Sequence, residues 1–133
     1  MRMFLCAIAA VCALGFVATM SIADDADSKS QQTTITGILI DQACGGKMMS
    51  EADPEKAAAE HPKSCATKAA CAASGYSVIS GKEMIKFDDN GNNIAKDWLQ
   101  KTTKEDNLRV NVTGTRDGDK IAVTSITAAD DAK

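Results

Sequence analysis

Three cysteines and the chain's only histidine stand in one stretch: Cys44, His61, Cys65 and Cys71, spaced C-x16-H-x3-C-x5-C. Three thiolates and one imidazole make a complete tetrahedral shell for zinc. Met48 and Met49 lie nearby in sequence, and their thioethers suit Cu(I). The spacing is not that of a standard zinc finger, because no C-x2-C knuckle is present. The same residues also read as a disulfide staple with His61 a polar residue beside Pro62, or as a reactive thiol next to His61. Three cysteines leave one thiol over after any single bridge.

The elements that must position these residues are mostly strands. Thr33 to Asp41 is β-branched and apolar, with Gly37 permitting a bend or bulge. Tyr76–Ser80 and Glu83–Phe87 flank Ser80-Gly81-Lys82, a short hairpin signal. Leu108, Val110 and Val112 alternate with Arg109, Asn111 and Thr113, so one face of that strand is buried. Arg116-Asp117-Gly118-Asp119 turns the chain, and Lys120 to Thr127 returns with Ile121 and Val123 on one face. Between the third and fourth strands, Asp88-Asp89-Asn90-Gly91-Asn92 reads as a turn with Asn92 or Asn93 capping a short helix. Ile94, Trp98 and Leu99 form its apolar stripe, which predicts a buried Trp98 and a cost of about 3–5 kcal/mol for Trp98→Ala.

This order predicts a mainly β fold with helices: a five-stranded OB-like barrel with a helix between strands 3 and 4. An SH3-like barrel is the alternative, but it normally lacks that helix. The Cys/His residues occupy an α-helical insertion, residues 42–75, between strands 1 and 2. Asp53-Pro54-Glu55 starts one helix there, as N-cap, first-position proline and first-turn acid. Pro62 biases His61 away from helix, and Ser64 is expected to cap a second helix through Ala73, with Cys65 in its first turn, where a helix dipole favours a thiolate. If residues 65–71 are one continuous helix, Cys65 and Cys71 are separated by about 9 Å of rise and roughly 120° of rotation. A disulfide needs Cα atoms within about 7 Å, so a bridge would then join Cys44 to Cys65 or Cys71. All three cysteines are expected to converge around His61, because the paired strands hold both ends of the insertion together.

The N-terminus sets the compartment. Met1-Arg2-Met3, the apolar run from Phe4 to Met20 and Ser21-Ile22-Ala23 read as a secretory signal peptide, residues 1–23. Cys6 and Cys12 leave with it. Its removal from the 133-residue chain leaves 110 residues, with 14 basic against 18 acidic side chains. Residues 24–32 read as a flexible leader, 33–127 as the domain and 128–133 as a flexible tail. The product is expected to be periplasmic or secreted, where disulfides persist. It carries no basic run to displace phosphate counterions, which argues against nucleic acid as a partner.

A strand ending in Asp41-x-x-Cys44, then His61-x3-Cys65-x5-Cys71, then Ser74-Gly75-Tyr76 opening a strand resembles a group of small exported bacterial proteins of unknown function. The likeness runs from Thr33 to Thr127. It supports these boundaries and supplies no reaction.

Other constellations carry less. Asp88-x-Asn90-x-Asn92 echoes a calcium loop, but its glycine is misplaced and the distal glutamate is missing. Asp41 and Glu60 could neighbour the site, yet without a second histidine or a serine motif no acid/base machine assembles. The leading expectation is an exported binding or structural module of unknown ligand or protein partner, with a disulfide-stapled Cys/His insertion. The alternatives are a metal-binding protein, taking zinc or copper through Cys44, His61, Cys65 and Cys71, and a thiol redox protein. A ligand platform would lie on strands 2 and 3, around Tyr76, Val78, Met84 and Lys86 or their alternates.

Overall fold

Alternation of apolar and polar residues does most of the building. A computed structural model describes residues 31–130 and contains five strands and five helices among them. The strands are β1 (Gln32–Asp41), β2 (Tyr76–Ser80), β3 (Glu83–Phe87), β4 (Arg109–Asp117) and β5 (Lys120–Ala128). Between β1 and β2 lie four short helices, α1 (Gln42–Met48), α2 (Pro54–Ala59), α3 (Lys63–Ala66) and α4 (Ala69–Ala73); α5 (Asp89–Lys101) joins β3 to β4. Helix and strand take nearly equal shares of the described residues, which corrects the expectation of a mainly β chain. The excess helix is the insertion, where alanine-rich turns replace what would be loops. The segment read as a signal peptide, most of the expected leader and the last three residues of the expected tail lie outside the described residues.

The strands form one mixed sheet. β1 pairs antiparallel with β4 through Gln32–Ile38 and with β2 through Ile38–Asp41, so it changes partner halfway along. Gly37 stands at that crossing: a Cβ there would sit 2.3 Å from the Ile79 carbonyl oxygen, so only glycine lets the strands approach. β2 pairs with β3 and β4 with β5, both antiparallel, while β3 and β5 meet in a short parallel contact at Lys86–Lys120 and Phe87–Ile121. The order β1-β2-β3-β5-β4 thus returns to β1 and the sheet closes on itself.

Its interior is filled by Leu39, Tyr76, Val78, Ile85, Phe87, Leu108, Val110, Val112, Ile121 and Val123. In β5 the alternation breaks after Val123, and Ile126 is the next buried residue. The β4–β5 register shifts between Thr113 and Gly114, leaving Thr124 as the extra residue of a bulge. The strand then runs to Ala128, and buried Ala129 donates its N–H to the Arg109 carbonyl at 3.0 Å, so the first tail residues are pinned.

α5 begins earlier than the asparagines suggest. Asp88 is its N-cap, and its Oδ1 accepts from Gly91 N at 2.9 Å and from Val123 N at 3.1 Å. A Cβ on Gly91 would meet Val123 Cγ2 at 2.6 Å, so the glycine seats the helix directly on β5. The buried face is Gly91, Ala95 and Leu99, with Ile94 and Trp98 half-buried on its flank. Trp98 is therefore a flanking residue, and the full-burial cost expected for its removal does not apply.

Candidate metal and thiol site

The site begins where β1 stops. Asp41 pairs with Tyr76 across β1–β2, and Gln42 N donates to the Gly75 carbonyl at 2.9 Å, so the two ends of the insertion are held side by side. Asp41 is fully buried and caps α1: its Oδ1 accepts from Cys44 N at 2.9 Å. That bond holds Cys44 in the first turn, close to the carboxylate. At the other end, Ser74 Oγ donates to the Cys71 carbonyl at 2.6 Å and accepts from Ala43 N at 3.1 Å. The end of α4 is thereby stitched to the start of α1. One carboxylate oxygen of Asp41 and the sulfurs of Cys44 and Cys71 consequently lie within 4.8 Å of one another.

His61 completes the inner side. It is 8% exposed, and its Nε2 lies 3.8 Å from Asp41 Oδ2, beyond hydrogen-bond length but within ion-pair range. Asp41 Oδ2 and His61 Nδ1 are both buried without a hydrogen-bond partner. Bare polar atoms of this kind are costly in a folded interior. Burial pushes the Cys44 thiol up to about 11, with the charge and hydrogen bonding of Asp41 adding to it and Cys71 contributing less. Tyr76 is raised as well, first by burial and then by Asp41 and Cys71. The cluster thus disfavours additional negative charge, and a bound cation would invert that preference.

Of the four residues singled out by the sequence, the structure places Cys44 and Cys71 at the centre and His61 one contact behind, through Asp41. Cys65 is half-exposed on α3 and is not among the converged donors. The continuous helix from Ser64 to Ala73 is absent: α3 ends at Ala66, and α4 begins at Ala69 after an extended Lys68. The cause is local. Ala66 is buried, and its carbonyl accepts from the Tyr76 hydroxyl at 3.1 Å instead of continuing the helical ladder. Pro62, not Ser64, stands at the N-cap, and a four-residue α3 is too short to sum a dipole at Cys65. With the helix broken at Thr67 and Lys68, the rise and rotation of a continuous helix do not separate Cys65 from Cys71. Asp41, named from sequence only as a neighbour, is the member of the cluster that the sequence reading missed. Its signal was Asp-x-x-Cys at a strand end, the spacing of an N-cap and its N3 partner. Glu60 is exposed.

The rest of the insertion clamps the site to the sheet. Asp53 caps α2 by accepting from Lys56 N at 3.1 Å, as the sequence indicates. Glu55 pairs with Arg109 on β4 at 2.6 Å and also accepts from Gly81 N in the β2–β3 hairpin. α1 and α2 bury Ile38, Ile40 and Ile79 under Ala58, with Cys44, Met48, Met49 and Met84 at the border of the cluster. Register settles the faces of β2 and β3: Ser77 and Ile79 stand opposite Lys86 and Met84, while Val78 stands opposite Ile85 inside the sheet. The expected platform therefore mixes two faces. Tyr76 and Val78 point inward, and the outer face around Ile79 is covered by the insertion.

The calcium-loop echo is fully employed in structure. Asp88 caps α5, Asn90 Nδ2 donates to the Val123 carbonyl at 2.9 Å, and Asn92 Oδ1 accepts from Tyr76 N at 2.7 Å. Comparison of the chain with protein-family models, with curated proteins and with solved structures finds no match.

Proposed function

We propose that this chain is an exported OB-like module that binds one thiophilic divalent cation, of the zinc class, through Asp41, Cys44 and Cys71. His61 positions the Asp41 carboxylate in this reading. The OB-like assignment is supported by the closed order β1-β2-β3-β5-β4 with a helix between β3 and β4. Export is supported by the basic start, the apolar run and the Ser-x-Ala site of residues 1–23.

The observation that carries the metal reading is the fully buried Asp41 carboxylate, whose Oδ2 has no hydrogen-bond partner and which stands beside two sulfurs within 4.8 Å. A cation bridging oxygen and sulfur would offset the cost of burying that group. Two thiolates and a carboxylate bring three negative charges. A divalent ion balances them better than Cu(I) does, and the hard oxygen donor points the same way. Four-coordinate zinc would take its remaining position from water or from a small shift of His61.

A second reading is favoured by the same sulfur proximity: Cys44 and Cys71, rather than Cys65, form the staple of the insertion. The two are separated by titrating the reduced chain with zinc against a chromophoric chelator. One equivalent is expected to bind, and Cys44→Ser or Cys71→Ser is expected to weaken it by more than about 100-fold. No uptake by reduced, folded protein would leave the staple as the better account.

A further inference from the structure

We infer that Cys44 and Cys71 form a redox-released latch, in which closing a disulfide between them expels the bound cation. The inference rests on Asp41, Cys44 and Cys71 being the ligands and adds what governs their occupancy. The two sulfurs approach within 4.8 Å of each other, and both side chains are half-exposed, within reach of a small reagent. They stand on separate short helices, α1 of seven residues and α4 of five; α4 has no side-chain hydrogen bond at its N-cap, and its C-terminal end is joined to α1 through Ser74 Oγ. Bringing the sulfurs to bonding distance, about 2.05 Å, asks only for a small approach of one such turn toward the other. Cys65 lies on a third element, α3, outside the converged donors. The odd cysteine count is thereby explained: two form the latch and one stays a thiol.

The chemistry closes with a small disulfide, such as oxidised glutathione, as oxidant. One thiolate of the pair attacks a sulfur of the reagent, forming a mixed disulfide and releasing one reagent thiolate. The second protein thiolate attacks the protein sulfur of that mixed disulfide, forming the Cys44–Cys71 bond and releasing the other reagent thiolate. The two electrons given up by the pair reside on the reduced reagent. Thiolate, not disulfide, is the metal ligand, so the cation keeps only the Asp41 carboxylate and departs. Asp41 Oδ2 then keeps His61 Nε2 beside it at 3.8 Å.

The experiment uses the reduced full-length mature chain loaded with one equivalent of zinc and treated with oxidised glutathione. Zinc release is followed with a chromophoric chelator, and intact mass and peptide mapping follow the bridge. Expected are one zinc released per bridge formed, loss of two hydrogens, a map to Cys44–Cys71, and zinc affinity lower by more than about 100-fold. Cys65→Ser is expected to keep both uptake and release, whereas Cys44→Ser and Cys71→Ser lose uptake while retaining native circular dichroism. Zinc that stays bound after the Cys44–Cys71 bridge has closed, or a bridge that maps to Cys65, overturns the latch and leaves the metal reading standing. Failure of the reduced wild-type chain to take up zinc overturns both.

Discussion

The closed sheet and the helical insertion are held by different means. The sheet interior is apolar throughout, with Val78, Val110, Val112 and Ile121 wholly buried, and its strands are bonded on both sides. The insertion is four helices of seven, six, four and five residues, too short to be stable by themselves. It rests on a smaller apolar cluster and on ion pairs such as Glu55–Arg109 and Lys63–Glu105, and its inner edge carries two buried polar atoms without hydrogen-bond partners. One region spends its residues on packing. The other accepts a local cost, and the cost falls on Asp41 and His61, beside the proposed cation site.

The largest effect that would sharpen this contrast comes from the sheet. Leu108 is 1% exposed in the main core, and Leu108→Ala is expected to cost about 2–5 kcal/mol in denaturant unfolding. Zinc affinity of the remaining folded protein should be unchanged, and a parallel loss of zinc binding would break the separation of the two regions. Next in size is Asp41. Asp41→Asn keeps the cap on Cys44 N but removes the charge, so zinc affinity is expected to fall about 10–100-fold with little change in unfolding. Asp41→Ala removes the cap as well and is expected to cost a further ~1 kcal/mol. Equal zinc binding by both variants and the wild type would remove Asp41 from the site.

Smaller again is a pH effect confined to the insertion. The Cys44 thiol is held at about 11 against an ordinary 9.0, so the folded, metal-free chain keeps a proton that the unfolded chain loses. The contribution is fully present below pH 9 and is lost as pH rises through about 11. Cys44→Ser is expected to flatten that decline in apparent stability. Tyr76, also raised, leaves a residual slope of the same sign. Zinc binding should tighten with pH over the same range, because the ligand must lose its proton. An unchanged stability–pH curve in Cys44→Ser would show that the thiol is not held as described.

What was legible in the sequence follows the same division. Period-two alternation and glycine turns placed β2 and β3 at the observed residues and β1 and β5 to within a residue at each end, because a half-buried strand writes its pattern locally; β4 runs on to Asp117, past the alternation read as far as Thr113 and into the expected turn. The α5 start was misread because Asp88 and Asn92 are both good caps, and the choice was made by contact with Val123 on β5, which is distant in sequence. The break between α3 and α4 depends on the Tyr76 hydroxyl reaching Ala66, a contact no propensity records. Convergence of Cys44 and Cys71 was readable from the paired strand ends. The exclusion of Cys65 and the central place of Asp41 were not, since both depend on which way one-turn helices face.

Cys44 and Cys71, but not Cys65, are proposed to share a cation. Native mass spectrometry of the reduced mature chain with zinc, combined with alkylation and peptide mapping, reads this directly. The expected result is one zinc per chain, with Cys44 and Cys71 protected from alkylation and Cys65 modified. A zinc-free chain in which all three cysteines are alkylated alike would contradict it.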